Sequence, residues 1–219
     1  MTGDVNPASP LPSLRQAQIA QTEQRIVAAA TELFLADGYV ATTLEAVAKR
    51  ARVGARTVYL RFGTKAALFK RVVDVAIVGD TEPVDVLGRD WMRAALTAPT
   101  AAERIAASAA VGRQIMERTG ALFGVAQQAA AVEPLIAGFW QQGREQTRRA
   151  HAVFWTRMAE DGLLDPGVEL DWLIDTTTIL AAAETYLLIT RLTGWDLDTY
   201  QGWLATTFAR LCRVADGNS

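Results

Sequence analysis

The chain has 219 residues, 50% apolar and 21% charged, a composition that is ordinary for a globular protein and excludes a disordered one. Its single cysteine rules out an intrachain disulfide, and with it a secreted scaffold held together by disulfides. The net charge of −2 is divided unevenly, because residues 1–71 hold ten basic and five acidic side chains whereas residues 72–219 hold 12 and 19. Such a basic N-terminal part either meets a polyanion or presents a solvated helical face without a partner.

Residues 1–21 are predicted to be a flexible leader, because they are rich in proline, alanine and glutamine. They carry no long apolar run and lack the pattern of a signal peptide. The most apolar long stretch, from Leu173 to Leu192, contains charged residues and many threonines, which disfavour a membrane span. We therefore expect a cytoplasmic protein with no membrane partner.

Four helices are predicted in the segment 22–82. An apolar stripe of helical period begins near Glu23 and ends at Gly38, because glycine readily adopts the positive φ that closes a helix. A second short helix follows the threonines after Gly38, a third covers about 54–61, and a fourth begins after Thr64. This segment is predicted to be one domain.

The segment 83–219 is predicted to be a second, larger domain that is also helical. It shows no strand-like alternation and no pair of turn residues typical of a hairpin. Proline and glycine positions divide it into helices at about 88–98, 100–118, 120–130, 133–162, 168–193 and 197–214. The whole chain is therefore predicted to be all-α.

Two of the short helices form a pattern that points to DNA. The second helix, the break at Ala51–Val53 and the third helix have the arrangement of a helix-turn-helix. In this motif one helix crosses the DNA backbone, and the N-terminal residues of the other enter the major groove, where base edges can be distinguished. From Lys49 to Arg71 the chain has eight basic residues and no acidic one, as a polyanionic partner requires.

The stretch from Arg25 to Val73 resembles the DNA-binding domain of the tetracycline-repressor (TetR) family. The resemblance rests on residues that are characteristic of the family and that occur here in the same order and spacing: Gly38-Tyr39, Thr42-Thr43, Val47-Ala48, Thr57-Val58-Tyr59, Phe62, Thr64-Lys65 and Leu68-Phe69. It implies an N-terminal three-helix helix-turn-helix domain that a fourth helix joins to a helical ligand-binding and dimerisation domain. It also implies a homodimeric transcriptional regulator, usually a repressor, that a small molecule releases from a palindromic operator in double-stranded DNA.

The resemblance also assigns roles to individual residues. Ala55, Arg56 and Thr57 lie where the family reads base edges, and Thr43, Tyr59 and Lys65 lie where it contacts phosphates. Arg52 stands where the family usually has glycine, which costs roughly 1 kcal/mol if the backbone there is left-handed. The predicted DNA contacts are Thr42, Thr43, Arg52, Ala55, Arg56, Thr57, Tyr59, Leu60, Arg61 and Lys65.

The resemblance predicts an effector pocket among the helices of the second domain. Apolar walls with a few polar groups suit a small-molecule site, although plain core packing explains the same side chains. The candidate lining residues are Trp91, Phe123, Gln127, Phe139, Trp140, His151, Phe154 and Trp155.

The last two predicted helices indicate a dimer surface. Small residues in the first of them allow close helix approach, and the second carries an aromatic and aliphatic stripe. Two helices from each subunit would form a four-helix bundle around a twofold axis. The predicted interface residues are Thr177, Ala181, Thr185, Leu188, Trp203, Leu204, Phe208 and Leu211.

Three other interpretations stay open. An enzyme is disfavoured, because the chain has one histidine and one cysteine, far apart, and no glycine-rich phosphate loop or metal-ligand spacing; neither a metal nor a cofactor is expected. A helical small-molecule carrier that dimerises without DNA would leave the acid-free basic run unexplained. A DNA-binding regulator without a small-molecule effector would have the same DNA-binding features.

Overall fold

A computed structural model describes residues 14–79 and 89–212, except for the side chains of Asp90 and Trp91. Within these ranges the chain forms ten α-helices and no strand, which confirms the all-α prediction. The helices are α1 Leu14–Ala41, α2 Leu44–Ala51, α3 Ala55–Phe62, α4 Lys65–Val78, α5 Asp90–Thr97, α6 Ala101–Ala129, α7 Pro134–Glu160, α8 Leu170–Leu180, α9 Ala183–Thr193 and α10 Leu197–Leu211.

The first helix is longer than predicted. It begins at Leu14 instead of near Glu23, so the end of the predicted leader is helical, while residues 1–13 lie outside the described residues. Gly38 interrupts α1 with φ 77° and ψ 175°, a backbone region open essentially to glycine alone. The positive φ predicted at Gly38 is confirmed, and the helix resumes only as far as Ala41.

Helix α6 is continuous where the sequence predicted two helices that meet near Gly120. Gly120 lies inside α6, and a β-carbon at that position would come within 2.8 Å of the Tyr186 ring on α9. The glycine therefore permits a close approach between two helices, and it does not end one of them.

The single helix predicted over 168–193 is divided into α8 and α9. Ala182 has an extended backbone (φ −63°, ψ 148°), and the two helices are bent by 52°. The Thr185 hydroxyl donates to the Ile179 carbonyl at 2.6 Å, which satisfies a backbone acceptor close to the break.

No single described helix is long and apolar enough to cross a membrane. Helices α8 and α9 together have sufficient length and apolar character, but they are bent by 52° where they meet.

Two clusters of buried apolar side chains hold the helices together. The first cluster joins α1–α4 around side chains such as Phe34 and Phe69, whose rings meet edge to face at 4.9 Å. The second cluster joins α5, α6, α7, α8 and α10 around Trp155. Helix α6 belongs to both, because Leu122 packs in the first cluster and Ile105 in the second.

Polar contacts also connect the first four helices to the rest of the chain. The Arg118 guanidinium on α6 donates to the Ala76 and Ile77 carbonyls at the end of α4, at 3.0 and 2.7 Å. The Tyr39 hydroxyl donates to the carboxylate of Glu133 at 3.2 Å, and Glu133 is the N-cap of α7. These bonds satisfy helix ends while joining parts of the chain that are distant in sequence.

Candidate nucleic-acid interface

A short turn joins α2 to α3 and fixes the path between them. Thr43 is the N-cap of α2, and its hydroxyl accepts from the Ala46 N–H at 3.1 Å. Helix α2 ends at Ala51, and its C-cap residue Arg52 has a left-handed backbone (φ 55°, ψ 48°). The Val53 N–H then donates to the Ala48 carbonyl at 3.0 Å, which closes the turn.

Three buried side chains hold α2 and α3 against the first core cluster. Val47 and Val58 are fully buried, and Ala48 is almost so. Close-packed interiors resist displacement, so the angle between the two helices is set by the core. The residues that project from α3 on the other side therefore have fixed positions.

Arg25 completes the turn from outside it, a role that the sequence interpretation missed. Its Nη2 donates to the carbonyls of Ala51 and Arg52, at 2.5 and 2.9 Å. These carbonyls lie at the end of α2, where a helix has no internal donor left for them. No local pattern reveals this contact, because Arg25 lies 26 and 27 residues away from its two acceptors in the sequence.

The left-handed backbone of Arg52 yields a stability prediction. Arg52 is the only non-glycine residue with positive φ in the described part of the chain. This conformation costs a non-glycine residue roughly 1–2 kcal/mol, partly offset because glycine adds freedom to the unfolded chain. We expect Arg52→Gly to raise the free energy of unfolding by about 0.5–1 kcal/mol in urea denaturation.

The matched control is Arg50, which lies two positions earlier inside regular helix α2. Arg50→Gly is expected to destabilise the protein by about 1 kcal/mol, because glycine disfavours a helix and the exposed ion pair with Glu32 contributes little. The same sign of change in both variants would contradict the assignment of strain to Arg52.

Five of the predicted DNA-contact residues form one exposed surface on α3, which we call the α3 face: Ala55, Arg56, Thr57, Tyr59 and Leu60. Leu60 is 77% exposed and Tyr59 45% exposed, whereas Val58 between them is buried. Arg56 makes no ion pair with any described residue, so its guanidinium is available to a ligand. Thr43 and Arg52 are exposed as well.

Two of the residues predicted to contact DNA have side chains that bond within the protein instead. Thr42 is 1% exposed, and its hydroxyl donates to the Gly38 carbonyl at 2.8 Å, so the prediction that it contacts DNA is wrong. Arg61 lies against α1, where it donates to the Ile19 carbonyl at 3.2 Å and approaches the Glu23 carboxylate at 3.4 Å. The α3 face therefore does not extend to Arg61.

Lys65 has structural partners that the sequence interpretation did not foresee. Its Nζ donates to the carbonyls of Tyr39 and Val40, at 2.8 and 3.1 Å, and lies 4.4 Å from the centre of the Tyr39 ring. An ammonium has three N–H donors, so one remains for a phosphate. The phosphate contact of Lys65 stays a prediction.

Tyr59 also has a partner within the protein. Its hydroxyl donates to Glu45 Oε1 at 2.5 Å, a contact that raises the pKa of Tyr59 and lowers the pKa of Glu45. Glu45 was not among the predicted site residues. Its position in the sequence could have drawn attention to it, because it is the only acidic residue between Asp37 and Asp74.

The predicted pocket residues are divided between the two core clusters. Phe139 and Trp140 pack against the first cluster, whereas Phe154 and Trp155 are buried in the second. Phe123 contacts Trp140 edge to face at 5.6 Å, and Gln127 is half-buried. The side chain of Trp91 lies outside the described residues. Phe154 and Trp155 are core residues, and their role in lining an effector pocket stays a prediction.

His151 and Trp155 share one polar partner, the buried hydroxyl of Thr177. This hydroxyl donates to the Leu173 carbonyl at 2.8 Å and accepts from Trp155 Nε1 at 2.7 Å. His151 Nδ1 lies 3.0 Å away and donates to the hydroxyl oxygen in the tautomer that carries its proton on Nδ1. The described residues contain no group of three or more His, Cys, Asp or Glu side chains placed to hold a metal ion.

The half-buried ring of His151 yields a pH prediction. Burial lowers its pKa from 6.5 to about 4. The unfolded chain therefore binds a proton at higher pH than the folded chain does, so the folded state loses stability as the pH falls from about 6.5 toward 4. We expect the free energy of unfolding to fall between pH 7 and pH 5, and to fall less in His151→Gln.

Urea denaturation at the two pH values measures this difference. His151 is the only histidine in the chain, and ordinary carboxyl groups titrate mainly below pH 5. An equal loss of stability in the wild type and in His151→Gln would contradict the prediction.

The residues predicted to form the dimer interface differ in how far they are buried within the single chain. Thr177, Leu204 and Phe208 are buried inside a single chain, so the prediction that they face a second subunit is wrong. Ala181, Trp203 and Leu211 are half-buried against the second cluster, and Thr185 is half-buried near the break between α8 and α9. Only Leu188 of the predicted set is a well-exposed large apolar side chain, at 57%.

Comparison with known sequences identifies the N-terminal helices. Residues 26–72 match the family described as bacterial regulatory proteins, tetR family. The HTH-type transcriptional regulator TcmR of Streptomyces glaucescens is 41% identical over 54 residues. This match covers 25% of the present chain and 24% of TcmR, so it spans about a quarter of the relative's length.

Comparison with solved structures extends over most of the chain. SmeT in its complex with triclosan has a TM-score of 0.66 at 19% identity, covering 90% of this chain and 93% of that one. NalD, the secondary repressor of the MexAB-OprM multidrug efflux pump in Pseudomonas aeruginosa, has a TM-score of 0.63 at 20% identity, covering 91% and 99%. At such identities the likeness concerns the fold alone. Residues 26–72 of this chain therefore match the TetR family of bacterial regulatory proteins, and the described helices have the fold of SmeT and NalD.

Proposed function

We propose that the protein is a sequence-specific DNA-binding transcriptional regulator, a homodimeric repressor that a small apolar or aromatic ligand releases from a palindromic operator. The observation that carries the proposal is the α3 face, an exposed surface on a rigidly held helix in the basic part of the chain. TetR-type sequence matches over residues 26–72 support it.

The α3 face offers the chemistry for reading base edges in the major groove. Arg56 can donate two parallel hydrogen bonds to guanine O6 and N7, and Thr57 can donate, accept or contact a thymine methyl group. Ala55 and Leu60 can make only apolar contacts. Thr43 and Lys65 lie at the starts of α2 and α4, where free backbone N–H groups favour a phosphate.

A twofold dimer would place two such faces on one operator. Four large apolar side chains on α8 and α9 are at least half exposed: Trp172, Ile179, Leu188 and Leu192. A second copy of the chain is the partner that fits a palindrome, because recognition helices must lie about 34–36 Å apart to reach successive major grooves. Sedimentation equilibrium is expected to give a dimer; a monomer at DNA-binding concentrations would contradict this part.

Release by a ligand is supported by SmeT, a protein of the same fold that is known in complex with triclosan. A ligand that binds one spacing of the two α3 faces better than another shifts their population. A coupling of about 1–3 kcal/mol would change operator affinity about 5- to 150-fold. A regulator without an effector is the alternative, and thermal stabilisation by a panel of apolar and aromatic compounds distinguishes the two.

The DNA-binding function is tested by selecting bound duplexes from a random pool. We expect a palindrome with two half-sites, and an affinity for unselected duplex that falls steeply as salt rises. A protein that binds no duplex at low salt would overturn the proposal.

A further inference from the structure

Glu45 is an isolated negative charge in the part of the protein that is proposed to meet DNA. It is exposed, it lies in the first turn of α2, and no described cation pairs with it. Between Asp37 and Asp74 it is the only acidic residue. Its Oε1 accepts the hydroxyl proton of Tyr59 at 2.5 Å, and Tyr59 belongs to the α3 face.

This contact uses the one proton that Tyr59 could offer to a phosphate. A phenol hydroxyl has a single O–H donor, whereas a phosphodiester oxygen can only accept. Tyr59 must therefore leave Glu45 before it can donate to the DNA backbone. The carboxylate itself also repels any phosphate that approaches, by an amount that depends on distance and screening.

We propose that Glu45 sets the sequence-independent affinity of this domain for DNA, by holding the Tyr59 hydroxyl proton and by repelling nearby phosphates. The inference rests on the proposed DNA-binding function and assigns to it a residue that lowers affinity. Because phosphate contacts carry no sequence information, weakening them makes binding depend more on the base contacts of the α3 face.

Two substitutions separate the two effects. Glu45→Gln removes the charge but keeps an acceptor for Tyr59, whereas Glu45→Ala removes both and also the interaction of this side chain with the Thr43 hydroxyl. We expect Glu45→Gln to raise the affinity for random duplex about five-fold at low salt. We expect Glu45→Ala to raise it a further 2- to 10-fold, the range of a net hydrogen bond.

The Tyr59→Phe background tests whether Tyr59 transmits the second effect. Without the hydroxyl there is no proton to release, so the difference in affinity between Glu45→Ala and Glu45→Gln should be smaller in that background, where only the interaction of residue 45 with Thr43 still differs. A difference that Tyr59→Phe leaves undiminished would overturn the role of Tyr59. Thermal unfolding of each variant reports whether the domain stays folded.

The matched control is Glu160→Gln, which changes the net charge equally. Glu160 is exposed and is the last residue of α7, whose opposite end, at Glu133, contacts Tyr39. We expect this variant to change duplex affinity less than two-fold, because distant exposed charges are screened. Equal effects of Glu45→Gln and Glu160→Gln would overturn the inference. Failure of the wild type to bind any duplex would instead overturn the proposed function.

Discussion

Thr177→Val is expected to lower the free energy of unfolding by about 2–3 kcal/mol, the largest change in stability predicted for a single methyl-for-hydroxyl replacement in this chain. Valine has nearly the shape of threonine, so the loss comes from hydrogen bonds and not from packing. The indole N–H of Trp155, on a side chain with no exposed surface, would have no acceptor left. A buried donor without a partner retains its full desolvation cost.

Thermal unfolding would measure this as a fall in Tm of about 5–10 °C for a protein of this size. The neighbouring residue supplies the control, because the Thr178 hydroxyl donates only to the Ile174 carbonyl of its own helix, at 2.7 Å. Thr178→Val is expected to cost less than about 1 kcal/mol. Similar losses in the two variants would contradict the role of Thr177 as the shared partner of Trp155 and His151.

Arg56→Ala is expected to reduce the preference for one base pair in each operator half-site about 5- to 150-fold. This range corresponds to the roughly 1–3 kcal/mol of discrimination that a two-pronged arginine contact supplies. Arg56 is exposed and has no ion pair among the described residues, so its loss should leave the fold unchanged. Binding to a set of operators altered at single positions measures the change.

Lys65→Ala should behave differently, because a phosphate contact is independent of sequence. We expect it to weaken all duplexes about equally and to reduce the salt dependence by about one unit of slope. Lys65 also donates to the Tyr39 and Val40 carbonyls, so the thermal unfolding of the Lys65→Ala variant must be measured together with its DNA affinity. If both variants lost affinity equally on every operator, the division into base-reading and phosphate-binding residues would be contradicted.

The sequence predicted best where a local rule decides the structure. The positive φ of Gly38 follows from turn chemistry, and a helix at residues 55–62 follows from the helical pattern of the sequence. The α3 residues predicted to contact DNA were assigned by the resemblance to the TetR family, and five of them are exposed. Thr42 was predicted wrongly because two adjacent threonines can each cap a helix, and only the path of the chain decides which is exposed.

Contacts between distant residues explain the other errors. Gly120 was predicted to break a helix, but it makes room for the Tyr186 ring 66 residues later, which no local pattern reveals. Leu204 and Phe208 were assigned to a dimer surface because an apolar stripe does not tell whether its partner is the same chain or another. The bonds of Arg25 and Lys65 to backbone carbonyls are likewise invisible until the fold is known.

Helix α6 has a consequence for how the molecule unfolds. Leu122, Ala126 and Ala129 from one part of it complete the packing of the N-terminal helices, while Ile105 and Met116 pack within the other cluster. A fragment cut near residue 82 would lose those three side chains and leave a water-exposed apolar gap. The two halves should therefore melt in one cooperative transition, and the N-terminal helices should not be autonomous when expressed alone.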